Sequence, residues 1–528
     1  MLSEVFRLCE KALTVGLYAG VPAVLFMELY LLLRRPDTLK KFDRKSVGEI
    51  FSRRASALVI FSVVVGLFAR TPLLNAFTGS DEPTFIYVAK LVYEGKKPYV
   101  DFFFSQPPLD VYMVAGLFRL FGLSLFHAKI LPFVCSILSF PLVYALSGYV
   151  SVKPVDRALT MFVYSTSILA IMTSQMVWLH ATHFLLIPLS TLLFFKGIRN
   201  KSSFLFFVSG CIASVAVYSK VLSLILPFIQ ILFLLLRPNS KQKTSILSYV
   251  AGFAIPVILF FPPLISDQFI HDVIGYHMSR SGTPDILKLL YVLPLLLNDP
   301  IIIFFGALGF IQVLLNFRLG NQTPYELFIG LYCLSVLCVI FFIPFEATIG
   351  NVISYGNYLI IPFALLAGRP LSSVRGQHAF IMLFFIIILA TTYILAIVTN
   401  LQWDASIRQT AEYLTFVSPK GGVLTGDPVV SPSIAFISNY SIPPEGVELY
   451  LPYRASNEPD VLLFYERITA NATYALLVTG IKPDLPFYEY IKSAGIYQYK
   501  DDGFNRYIED RFKLENQTGK ITIYSKAK

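Results

Sequence analysis

The stretch "FTGSDEPTFIYVAKLVYEGKKPYVDFFFSQPPLDVY", Phe77–Tyr112, sets an adjacent acid pair, Asp81 and Glu82, just after an apolar run ends. That upstream run, residues 55–75, is about the 20 residues needed to cross a bilayer. Downstream, Phe85, Val88, Ala89 and Val92 recur at helical spacing and Gly95 stops the run. Acids at the start of such a helix suit its dipole. "SQPPLDVYMVAGLFRLFG" (Ser105–Gly122) repeats the plan: Pro107-Pro108 at the start, one apolar face, Gly122 at the end. Leu109–Phe121 is short for a span. Residues 81–122 are therefore expected to form helices lying in the outer membrane interface, above a bundle.

The rest of the chain supplies that bundle. Of 528 residues, 55% are hydrophobic and only 14% charged, against about 25% charged in soluble domains. Apolar runs near 13–33, 55–75, 128–150, 158–176, 179–195, 203–219, 221–236, 246–265, 289–316, 325–345, 354–367 and 379–399 give about twelve spans, a polytopic α-helical membrane protein. After residue 400 there are 13 Lys and Arg against 15 Asp and Glu, a net of −2, so the membrane part carries +12 of the total +10. That excess sits in short loops, which speaks for topology and against nucleic acid. Arg34, Arg35, Lys40, Lys41, Arg44, Lys45, Arg53 and Arg54 crowd the first connection, and Lys153/Arg157, Lys196/Arg199/Lys201, Arg237/Lys241/Lys243, Arg318 and Arg369/Arg375 mark alternate later loops. With these loops in the cytoplasm, the Asp81–Glu82 loop and everything after residue 400 lie outside.

Three units follow: 1–54, an additional span with a basic cytoplasmic loop; 55–400, the membrane module; and 401–528, a small extracytoplasmic α/β domain. In the last, "GGVLTGDPVVSPSIAFIS" and "YALLVTGIKPDLP" read as short buried strands and "PFYEYIKSAG" as an amphipathic helix. Asn439, Asn471 and Asn516 head glycosylation sequons there. The five cysteines, Cys9, Cys135, Cys211, Cys333 and Cys338, match no metal spacing and read as small hydrophobes.

Several polar residues stand out against this background. Lys220 sits between two apolar runs with no acid near it in sequence, and "DVIGYHMSRSGTPD" carries His277 and Arg280. Cations beside a carboxylate pair suit a phosphate leaving group and a general base. His180 and His183, three apart on one helix face, are open between polar packing, contact with phosphate or acceptor, and a metal that would need a third ligand.

These stretches resemble a known family, the GT-C glycosyltransferases that take sugar from a polyprenyl- or dolichyl-phosphate carrier, and most of all the protein O-mannosyltransferase and aminoarabinose-transferase type. The resemblance spans roughly residues 55–400. It rests on the Asp-Glu loop with its Pro-Pro helix, on "GCIASVAVYSKVLSLILPF" (Gly210–Phe228), and on "NYLIIPFALLAG" (Asn357–Gly368), similar to a late "RYLLPLYP" helix. It implies that Asp81 activates an acceptor hydroxyl, that Glu82 helps position acceptor or base, and that Lys220, with Arg280 and His277, binds the donor phosphate. Two departures bear on the acceptor side: Gln106 stands where the family has Lys or His before Pro-Pro, and His180 and His183 stand where many members have Asp. The implied activity is an inverting transfer from a polyprenyl- or dolichyl-phosphate sugar to a hydroxyl of a protein, lipid or glycan acceptor, at the outer face of the cell membrane. It needs no cofactor, a divalent metal being left open. A flippase of lipid-linked sugar and a non-catalytic membrane subunit are the alternatives.

Overall fold

A computed structural model describes residues 47–78, 81–177, 182–236, 242–260, 266–276, 299–319, 323–342, 349–374, 379–427, 430–446, 461–478 and 502–526. The apolar run at 13–33, most of the first basic loop, His180, His277, Arg280 and the helix expected in "PFYEYIKSAG" lie outside them.

The membrane part comprises α1 (Ala55–Ala69), α4 (Leu125–Val150), α5 (Pro154–Thr166), α6 (Ile168–Ser174), α7 (His183–Asn200), α8 (Ser203–Ser219), α9 (Ile225–Leu236), α10 (Gln242–Phe260), α11 (Pro300–Leu319), α12 (Pro324–Phe342), α13 (Ile349–Ser373) and α14 (Ala379–Val417), with α2 (Glu82–Tyr93) and α3 (Leu109–Phe121) inserted after α1. Large apolar side chains such as Ile60, Phe228, Leu247 and Ile258 are more than half exposed on the outside of the bundle, as lipid-facing positions are. Among the described residues four helices are long and apolar enough to cross a membrane, or five with one bent pair, and four shorter apolar helices accompany them. The chain is a multi-pass membrane protein.

The bent pair corrects one reading. Residues 158–176 were expected as a single span, but the chain turns by 55° between α5 and α6. Ser167 caps α6 by accepting from Ala170 N–H at 3.2 Å. The buried Asp299 accepts from Ser167 Oγ at 2.6 Å and from Leu169 N–H at 3.2 Å. A serine cap and a carboxylate at a helix N-terminus favour a new start over continuation.

Close helix contacts depend on glycine, because without water to expel, helices in lipid gain mainly from tight packing. A Cβ at Gly210 of α8 would stand 2.3 Å from Tyr249 O, and one at Gly252 of α10 would stand 2.0 Å from Phe207 O. The two helices thus touch backbone to backbone.

The expected boundary at residue 400 falls inside α14, a continuous helix of 39 residues that would reach about 58 Å at 1.5 Å per residue. Its later part, with Trp403, Ile407 and Leu414, is buried in one apolar cluster with Phe85, Val88, Val114 and Phe118 of α2 and α3. Beyond it, β1 (Leu424–Gly426), β2 (Tyr474–Val478), β3 (Phe512–Thr518) and β4 (Ile521–Lys526) form a sheet in the order β1-β2-β4-β3, parallel between β1 and β2 and antiparallel elsewhere. Both faces of β2 are covered, as the period of two requires. Tyr474 and Leu476 join the cluster with α14, while Ala475 and Leu477 pack with α16 (Val461–Thr469) and α17 (Asp502–Arg511).

Two further expectations change. "VSPSIAFI" is not a strand but α15 (Val430–Ile437). Asp427 accepts from Val430 N–H at 3.1 Å and its carbonyl accepts from Ser431 N–H at 3.0 Å, so the cap overrides the β-branched residues. Nor does α2 lie open on the interface: Phe85 to Ala89 are all buried, because α15 packs along it and α14 shares its apolar cluster. α3 keeps an exposed apolar face with Tyr112, Met113, Leu120 and Phe121.

Gly252→Leu is expected to force α8 and α10 apart and destabilise the bundle by about 1–3 kcal/mol or more, the usual cost of overpacking. Thermal unfolding in detergent measures it, and an unchanged midpoint would contradict the close approach.

Candidate active site

The loop between α1 and α2 is tied down from three directions. From α4, Lys129 Nζ donates to Leu73 O at 2.9 Å and Ala76 O at 2.5 Å and lies 3.0 Å from Glu82 Oε2. Three acceptors use its three protons. From the end of α6, Gln175 Oε1 accepts from Leu73 N–H at 2.8 Å, and Val177 N–H donates to Glu82 Oε1 at 2.7 Å. From α14, Asp404 accepts from Phe77 N–H at 2.9 Å, while Arg408 pairs with Asp404 at 2.7 Å and donates to Asn75 O at 2.9 Å.

The adjacent acids thereby part company. Glu82 is fully buried. Besides Lys129 and Val177 it accepts from Thr78 N–H at 3.1 Å and Thr78 Oγ1 at 2.9 Å. A buried ion pair is tolerable only when its remaining donors and acceptors are satisfied in this way. The carboxylate expected to help position acceptor or base is turned into the protein, where it braces the loop that carries Asp81. Asp81 is exposed. Its carbonyl accepts the first turn of α2, from Thr84 N–H at 3.1 Å and Phe85 N–H at 3.4 Å, and Pro83 follows in the first turn. Asp81 is thus held at a fixed point on the surface by the network around its neighbour Glu82 and by its own backbone.

Lys220 lies where α8 ends: its φ of −154° and ψ of 131° break the helix before the tight turn Val221–Leu224. Ser219 Oγ donates to Asp110 Oδ2 at 2.5 Å, and Thr182 Oγ1 donates to Ser219 Oγ at 2.7 Å. Asp110 is buried at the head of α3, outside the spanning helices. Burial pushes its carboxyl up to about 6, against the pull of the Ser219 and Thr182 hydroxyls and the charge of Lys220. One turn after Lys220, Ser223 hydrogen-bonds His183 Nε2, which also meets Tyr358 Oη at 3.0 Å. His183 is thereby brought to both the lysine turn and the "NYLIIPF" helix, beside a small cavity lined by Asn357, Tyr358 and Pro362. Among the described residues no group of His, Cys, Asp and Glu could hold a metal ion.

The acid loop and the lysine turn are linked by one short segment. Val177 is bonded to Glu82, Thr182 is bonded to Ser219, and five residues can span at most about 18 Å. The position of His180 falls inside this segment. His277 and Arg280 follow Tyr276, whose ring lies 6.0 Å from that of Phe103 in the connection between α2 and α3. Along α2, Lys90, Glu94, Lys96, Asp101 and Asn439 line a cleft of about 430 Å³.

Sequence reasoning did not single out Asp110, Lys129, Gln175 or Asp404. Lys129 carried a signal, since a cation inside an apolar helix is rarely idle. Asp110 did not, because an acid in a first helical turn is ordinary.

Residues 105–265 match the family model described as dolichyl-phosphate-mannose-protein mannosyltransferase. The structure is similar to ArnT from Cupriavidus metallidurans bound to undecaprenyl phosphate, with a TM-score of 0.56 and 13% identity over 89% of this chain and 97% of that one. The apo state of that protein gives 0.58 and 12% over the same shares. An oligosaccharyltransferase of Archaeoglobus fulgidus, in a complex with Zn and sulfate, gives 0.50 and 13% over 80% of this chain and 68% of that one. No curated protein sequence matches the chain. The fold is the one these proteins share.

Glu82→Gln or Lys129→Met alone is expected to cost about 3–5 kcal/mol by leaving a buried charge uncompensated, whereas the double variant recovers much of the loss. Detergent melts of the three proteins decide it: a double variant as unstable as the sum of the singles would show that the pair is not coupled.

Proposed function

We propose that this chain, which has the GT-C fold, is a glycosyltransferase that moves a sugar from a polyprenyl- or dolichyl-phosphate carrier to a hydroxyl acceptor at the outer face of the membrane. The observation that carries the reading is the split within the acid pair: Glu82 is sealed in the protein and Asp81 is offered at the surface. The undecaprenyl phosphate bound to the similar ArnT supports a lipid-phosphate donor.

In this reading Asp81 accepts the proton of the acceptor hydroxyl as that oxygen attacks the anomeric carbon from the side opposite the phosphate. The bond from that carbon to the phosphate oxygen breaks, and its electron pair leaves with the polyprenyl phosphate. One displacement inverts the anomeric centre. Lys220 meets the charge that grows on the departing phosphate, lowering the barrier as well as aiding binding. The cleft along α2 admits the acceptor, and exposed apolar helices hold the lipid tail.

Purified protein should transfer sugar from a synthetic polyprenyl-phosphate donor in detergent. Asp81→Asn should lower turnover at least about 100-fold, the usual worth of a positioned base, with donor binding retained. Transfer within about threefold of wild type removes Asp81 from the role of base, and movement of the donor across vesicles without transfer turns the reading to a flippase.

Residues 401–528 lie outside the cell in this proposal. Lys513→Cys, in a background stripped of native cysteines, should react with an impermeant thiol reagent on intact cells. Labelling only after lysis reverses the orientation of the whole site.

A further inference from the structure

The carboxyl of Asp110 has no part in the displacement just described, yet it is buried beside the cation assigned to the phosphate. It is set by a relay of two hydroxyls, Thr182 to Ser219 to Asp110 Oδ2. Its other oxygen, Oδ1, is buried without a hydrogen-bond partner. Ser219, which donates to it, is joined directly to Lys220, and the lysine charge acts on the same carboxyl. The terminal carbonyls of α8 add partial negative charge at that point. An acid in this place is unexpected in a phosphate site, because it repels the ligand and weakens the field of the cation.

We propose that Asp110 is a positioning residue for Lys220, which holds the ammonium in place and balances its charge so that the lipid-phosphate product is released. The inference rests on the reading of Lys220 as the donor-phosphate cation. A lone lysine next to the site would grip the product harder than the donor, since the phosphate gains charge when the sugar leaves. Transfer would then stall on release, because binding shared by donor and product does not raise turnover. A fixed carboxylate close to the lysine reduces both affinities and the product's more, while the hydroxyl relay keeps the carboxylate from swinging away.

The test measures the affinity of polyprenyl phosphate, the bare product, for purified protein, together with kcat and KM for the donor. Asp110→Asn keeps the shape and can still accept from Ser219, but removes the charge. It should bind polyprenyl phosphate on the order of tenfold more tightly, about 1.4 kcal/mol, with lower KM and lower kcat. Asp110→Glu, which restores the charge, should return affinity toward wild type. A purely structural role would lower the melting temperature without tightening anything, so unchanged or weakened binding by folded Asp110→Asn overturns the proposal. Should Asp110→Asn not fold, Ser219→Ala keeps the carboxylate charge and releases it from the hydroxyl. Freed from its tether, that carboxylate can swing away from Lys220, so product binding should tighten several-fold; unchanged or weakened affinity overturns the proposal equally. Lys220→Ala separates the two levels. If it leaves polyprenyl phosphate binding intact, the reading of Lys220 itself fails. If it weakens binding while Asp110→Asn does not tighten it, only the role of Asp110 fails.

Discussion

The buried contact between Glu82 and Lys129 is the constraint from which the outer end of the molecule is built. Two charges removed from water cost more than their attraction returns unless every remaining donor and acceptor is used. Here they are used on the chain itself: Leu73 and Ala76 carbonyls on the lysine, Thr78 and Val177 on the glutamate. Satisfying the pair therefore dictates the path of the loop from α1 to α2, and that path delivers Asp81 to the surface. The residue that faces outward is fixed by its neighbour that does not.

The long helix α14 carries the same constraint outward. Asp404 and Arg408 reach back to Phe77 and Asn75, Trp403, Ile407 and Leu414 share a core with α2 and α3, and Thr410 pairs with Thr518 at the end of β3. A break at residue 400 would have left the acid loop and the sheet on separate bodies. An unbroken helix makes the sheet, α2 and the loop parts of one packed unit, and preorganisation of this kind is what a base needs to act without rearrangement.

On the far side of the short segment between Val177 and Thr182, the design changes from an ion pair to a relay of hydroxyls. His183, Ser223 and Tyr358 tie the lysine turn to α7 and α13, and Ser219 ties it to α3 through Asp110. Elements from four places in the sequence meet around one cation. The acid loop is locked by an ion pair, the lysine turn by hydroxyls that end on the carboxylate of Asp110.

Much of this was legible in the chain before any fold was known. Hydropathy runs marked the helices, because burial in lipid demands about 20 apolar residues wherever it occurs. The helical spacing and stop glycines of 81–122 marked α2 and α3, since caps and periodicity act within a few residues. Asp81 and Lys220 stood out by residue type and setting, and the "NYLIIPF" helix by its resemblance to a known family. The tertiary structure decided what local pattern cannot carry. Asp299, 132 residues from Ser167 in sequence, capped a bend inside an apolar run. Above all, it sent Glu82 inward and left Asp81 outside. Adjacent acids at a helix start look alike in sequence. They differ only because a lysine from α4 and an amide from the end of α6 close around one of them, and contacts between distant segments exist only once the chain has folded.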